Sequence, residues 1–135
     1  MADDARPDAR PTVRPLVAAA ADVAVLAVFV LLGRRTHHED AGVGGFLRVL
    51  APFLAGLVVG WAVSRCWRAP LAWSRAVVVW LATIGVGMLL RVTVDGRDLP
   101  AAFVVVALLF VGAGLLGWRA GVRAAARRGG RRAAA

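Results

Sequence analysis

Residues 16–32 read LVAAAADVAVLAVFVLL, a run whose single polar side chain is Asp22 and which no glycine, proline or arginine interrupts. At ~1.5 Å per residue, a helix needs roughly 17 to 25 residues to cross a hydrocarbon core about 30 Å thick, so this run is long enough to span a membrane. Three further runs follow, Val49 to Val63, Ala76 to Leu90 and Ala101 to Trp118. Their continuous hydrophobicity, without the alternation of a barrel strand, predicts helices. The expected fold is an all-α membrane protein of four transmembrane helices, with spans at about 16–32, 47–64, 76–92 and 101–118. The second span gains Leu47 because Arg48 can snorkel to the interface, and the third, bracketed by Arg75 and Arg91, is the shortest.

Composition points the same way. A 60% hydrophobic content over 135 residues leaves too little polar surface for a soluble domain. The charge is carried by 17 basic residues, all arginine, against 8 acids, for a net of +9. These arginines lie at the ends of apolar runs, where they meet lipid headgroups first; the expected partner is the bilayer, anionic lipids through the Arg-rich C-terminal tail included, rather than a nucleic acid. Cys66 is the only cysteine, so no intramolecular disulfide forms. Residues 1–15 mix Asp3, Asp4 and Asp8 with Arg6, Arg10 and Arg14 and three prolines, the composition of a disordered tail, and residues 120–135 form an Arg/Ala-rich tail.

Arginine placement sets the expected orientation, since basic residues near span ends are retained on the cytoplasmic side. With both termini inside, Arg6, Arg10, Arg14, Arg65, Arg68, Arg75 and the six arginines from Arg119 to Arg132 lie inside. Only Arg34, Arg35, Arg48, Arg91 and Arg97 lie outside. Trp61, Trp67, Trp73, Trp80 and Trp118 all fall near the inner interface, where indoles settle. The expected location is the plasma membrane of a bacterial cell.

The second and fourth runs share a pattern at an offset of 57 residues: Phe46, Phe53, Gly60 and Trp61 against Phe103, Phe110, Gly117 and Trp118. The same offset pairs Leu32 with Leu89 and Arg34 with Arg91. Either two helical hairpins of like orientation are duplicated, or two helices packing alike have converged on one face. Both readings place that face toward the bundle interior. Gly56 and Gly60 form a GxxxG step, and with Gly112 and Gly117 they are the expected helix-packing positions, where small residues let backbones approach.

Asp22 lies six residues inside the first span, roughly 9 Å below its inner end. A charged carboxylate there costs at least about 2.5 to 3.5 kcal/mol, so it must be protonated, paired or hydrated. Trp61, Trp80 and Thr83 occupy comparable depths and can donate hydrogen bonds, whereas no arginine is expected at that depth. Asp22 is then an interhelical hydrogen-bond anchor, the preferred reading, or a proton or cation site. On the outer face, Arg34, His37, Glu39, Asp40, Arg48, Arg91 and Asp95 are expected to form a polar network closing the bundle, with Arg91 pairing Glu39 or Asp40. Adjacent histidines without metal-ligand spacing do not predict a metal site there.

Asp22, the segment Gly33-Arg34-Arg35-Thr36-His37, Pro52-Phe53-Leu54-Ala55-Gly56 and Gly60-Trp61 together resemble a family of small bacterial membrane proteins known as domain of unknown function 3054. The match continues from Gly87-Met88-Leu89-Leu90-Arg91 through Asp95-Gly96-Arg97, Pro100 and Phe103-Val104-Val105 to Gly117-Trp118-Arg119. The resemblance spans roughly Leu16 to Arg119. It implies a four-helix membrane protein of actinobacterial type and supplies no activity, ligand or catalytic residue.

No nucleophile with its base, phosphate-cradling loop or cofactor fingerprint is present in the sequence, so an enzyme is not expected. The leading expectation is a non-enzymatic structural or accessory component that assembles with another membrane protein. The alternative is an oligomeric proton- or cation-coupled transporter or channel subunit using Asp22.

Overall fold

The computed structural model of the chain describes residues 11–37, 42–96 and 98–133, the side chains of 35–37 and 133 excepted. Four helices account for most of them: α1 Pro15–His37, α2 Val43–Ser64, α3 Trp73–Thr93 and α4 Ala101–Ala133. Each contains a segment long and apolar enough to cross a membrane, as the sequence predicts. The helices outrun the predicted spans, α2 and α3 by three or four residues at their starts and α1 and α4 by more at their ends. α1 continues beyond Leu32 to His37, and α4 continues through the expected tail, its 33 residues reaching about 50 Å, well beyond a bilayer core. Residues 1–10, on which most of the expected N-terminal tail rests, lie outside the described residues.

Each helix packs against the next and α4 returns to α1, so the bundle closes in chain order. Lipid is as apolar as a leucine side chain, so close packing and polar contacts have to hold such helices together. The closest approach is between α2 and α3. A Cβ on Gly56 would stand 2.6 Å from the Thr83 carbonyl oxygen, and one on Gly60 2.8 Å from the Val79 Cα. On the facing helix, Gly87 leaves room for the Phe53 ring, with 2.6 Å to its nearest atom. The GxxxG step of α2 is therefore the contact that seats α3.

At mid-bundle the Phe29 ring of α1 meets Phe53 of α2 at 5.6 Å and Phe110 of α4 at 5.7 Å between centroids. Phe53 and Phe110 are one of the pairs related by the 57-residue offset, and they close on the same ring from two sides. Gly112 accommodates the Trp80 indole, as its predicted packing role requires, with 2.8 Å from a Cβ to the ring. Gly117 does not pack: it is exposed, with no atom within 4 Å of a built Cβ. No neighbouring helix closes on it, whereas Gly60, its partner in the offset, lies against α3.

The connection between α2 and α3 folds inward. Arg65 takes a left-handed conformation, φ 51°, that ends α2, and its carbonyl accepts a 2.7 Å bond from Arg75 Nη1. A 3-10 turn, Cys66–Arg68, follows. Cys66, Pro70 and Leu71 are buried and floor this end of the bundle.

Candidate functional site

Asp22 sits on the second turn of α1, seven residues before Phe29, and is completely buried. Four hydrogen bonds reach its carboxylate. Oδ1 accepts from Trp118 Nε1 at 2.8 Å and Arg119 Nη1 at 2.7 Å. Oδ2 accepts from Trp61 Nε1 at 2.9 Å and Arg119 Nη2 at 2.8 Å. A carboxylate has about four lone-pair positions, so its accepting capacity is filled.

Arg119 is equally committed. Its side chain is 1% exposed, and its five N–H groups all find acceptors. Two go to Asp22 in the parallel fork that matches guanidinium to carboxylate. Nε donates to the Pro70 carbonyl at 2.8 Å, and Nη1 also donates to the Leu115 carbonyl at 2.8 Å. The remaining contact, from Nη2 to Cys66 Sγ at 3.8 Å, is long and weak. The guanidinium carbon lies 4.5 Å from the Trp118 ring centroid, adding a cation–π contact. Burial pushes the Cys66 thiol up from its ordinary pKa, with the Arg119 charge opposing the shift less strongly.

Three helices and the inward loop thus converge on one ion pair: α1 supplies the acid, α2 and α4 the indoles, α4 the guanidinium, and the loop a carbonyl and a thiol. Taking two ions out of water costs several kcal/mol each, and only a geometry with every donor and acceptor matched recovers it. This site has that geometry. Chemically it can fasten helices, and it leaves the carboxylate no lone pair for a coordinated cation.

The predicted polar site is corrected in two respects. Trp61 does bond Asp22, but Trp80 and Thr83 do not. Trp80 Nε1 donates to the Leu108 carbonyl of α4 at 3.1 Å, and Thr83 Oγ1 donates back to the Val79 carbonyl one turn earlier at 2.7 Å. Helical residues that find a carbonyl within reach have no need of a distant acid. The expectation that no arginine shares the depth of Asp22 is also overturned. Arg119 lies just past the predicted end of the fourth span, and its long side chain turns into the bundle instead of snorkelling outward. The offset that pairs Trp61 with Trp118 was the available signal, because it likens the position of Trp118, next to Arg119, to that of Trp61.

At the other end of the bundle the expected network is partly described. Arg34 Nη1 donates to the Gly42 carbonyl at 3.1 Å, across the α1–α2 connection. Arg48 Nε stands 3.9 Å from Asp95 Oδ1, a loose pair because the arginine side chain is 63% exposed. Arg91 is buried, its guanidinium 4.7 Å from the centroid of the Phe103 ring. Glu39, Asp40 and the His37 side chain lie outside the described residues, and with them the expected pairing of Arg91.

A family model described as Protein of unknown function (DUF3054) matches residues 19–122, a segment that holds both Asp22 and Arg119. No curated protein and no solved structure matches the chain.

Proposed function

The chain belongs to the DUF3054 family, and from that premise we propose that it is a non-enzymatic structural or accessory component of a membrane complex, held closed by the Asp22–Arg119 clasp. The observation that supports this reading is the saturation of Asp22 by four donors at zero exposure. An acid that couples transport has to exchange its proton or bind a cation during the cycle. Here that exchange would have to displace at least one of the four donors that fill the carboxylate's lone pairs. That arrangement favours a fastening role for Asp22 over the coupling role that the oligomeric transporter or channel reading gives it.

The protein resides, in this reading, in the plasma membrane of a bacterial cell with both termini in the cytoplasm. The side rich in arginine and tryptophan is the clasp side, which agrees with retention of basic segments inside. Native mass spectrometry of the untagged protein, gently extracted from its own membrane, tests the proposal. A stoichiometric complex with a different protein is expected. A homo-oligomer that conducts ions or solutes in proteoliposomes, and loses that flux in Asp22→Asn while still folded, would overturn it.

A further inference from the structure

Two clefts meet on the α3–α4 face. The first is apolar, about 440 Å³, and runs beside Trp80, Leu109, Gly112 and Gly117 within the spanning part of α4. The second, about 390 Å³, lies beyond it and is lined by Arg123, Arg127, Arg128 and Arg131. Trp73 and Ala120 border both, so the two form one continuous groove.

Arg123, Arg127 and Arg131 recur every four residues and share one face of the α4 extension. No Asp or Glu occurs in the chain after Asp98, so no side-chain carboxylate from this helix balances them. Arg123 lies 5.9 Å from the Trp73 ring centroid, and its Nη1 is buried without a hydrogen-bond partner among the described residues. The order along the groove is apolar wall, interfacial indole, then guanidinium cluster. That is the order of acyl chain, glycerol region and phosphate in a phospholipid standing in the leaflet.

We propose that this groove is a binding site for a phospholipid with an anionic headgroup, one acyl chain lying along Gly112 and Gly117 and the phosphate held by Arg123, Arg127 and Arg131. The site explains why Gly117 is open: on this face a side chain would occupy the space of the chain. The inference stands apart from the accessory reading, since a lipid site is compatible with either role of Asp22.

The test is native mass spectrometry of the full chain released from nanodiscs holding equal amounts of phosphatidylglycerol and phosphatidylcholine. The wild type is expected to retain phosphatidylglycerol preferentially. Arg123→Gln/Arg127→Gln/Arg131→Gln should lower that preference on the order of a hundredfold, from the contribution of three surface arginines. Gly117→Leu, whose Cβ enters open space and whose branch fills the groove, should remove the retained lipid while leaving the unfolding midpoint unchanged. Arg14→Gln/Arg68→Gln/Arg132→Gln removes the same charge at exposed positions outside the groove and should lower the preference far less. Equal loss in that control would reduce the effect to diffuse attraction, and undiminished retention in Gly117→Leu would remove the acyl chain from the groove; either result overturns the proposal.

Discussion

Asp22 and Arg119 are separated by 97 residues and joined by two bonds of 2.7 and 2.8 Å. One lies on the first helix and the other on the last, so this pair, with the indole bonds beside it, fastens the two ends of the chain order to each other. α2 and α3 are held by backbone proximity at glycine; α1 and α4 are held by charge.

Removing one partner strands the other. Asp22→Ala is expected to destabilise the bundle by about 3–5 kcal/mol, because the Arg119 guanidinium is left buried without its counter-charge. Asp22→Ala/Arg119→Ala should cost less than the sum of the two single changes, since neither ion is then stranded. Thermal unfolding followed with a thiol-reactive fluorophore reads this directly. Cys66 is the only thiol and is fully buried until the clasp opens.

The two indoles should be equivalent. Trp61→Phe and Trp118→Phe each keep a ring and lose one bond to a charged acceptor, an expected cost of about 1.5–3 kcal/mol apiece. Trp80→Phe loses a bond to a neutral carbonyl and should cost about 0.5–1.5 kcal/mol. Equal costs at Trp61 and Trp80 would argue against the special place of Asp22.

Glycine positions separate sharply by geometry. Gly56→Val forces a side chain against the backbone of Thr83, an overpacking expected to cost about 1–3 kcal/mol or more and to part α2 from α3. Gly117→Ala should be neutral, and Gly85→Ala likewise meets open space. Cysteine cross-linking between α2 and α3, in a background lacking Cys66, reports the separation.

Alkaline pH should loosen the fold through Cys66. Its thiol ionises at higher pH when folded than when unfolded, so the unfolded chain loses its proton first. The stabilisation is fully present below the ordinary thiol value and is lost as pH rises through the folded one. Unfolding followed by tryptophan fluorescence from about pH 7 to about pH 10 should show a decline that Cys66→Ala abolishes.

The helices were legible because spans are written in length and hydropathy, and Asp22 because an acid in lipid has no ordinary reason to be there. Trp61 was legible by depth. Trp80 and Thr83 were misassigned because depth along a helix says nothing of azimuth, and each had a nearer carbonyl. Arg119 was counted only among the arginines of the inner side, just past the fourth span; a flexible side chain can turn either way, and which way depends on a partner three helices distant. Gly117 was misread for a related reason, since a sequence offset preserves residue type without preserving the neighbour.

Placing the two ions at opposite ends of the chain also orders its biogenesis. Asp22 precedes Arg119 by 97 residues, so the first helix is made well before the guanidinium that pairs with it. A chain stopped after α3 would hold three helices and a carboxylate without the guanidinium that saturates it. The first helix therefore gains its counter-charge only when the last one packs against it.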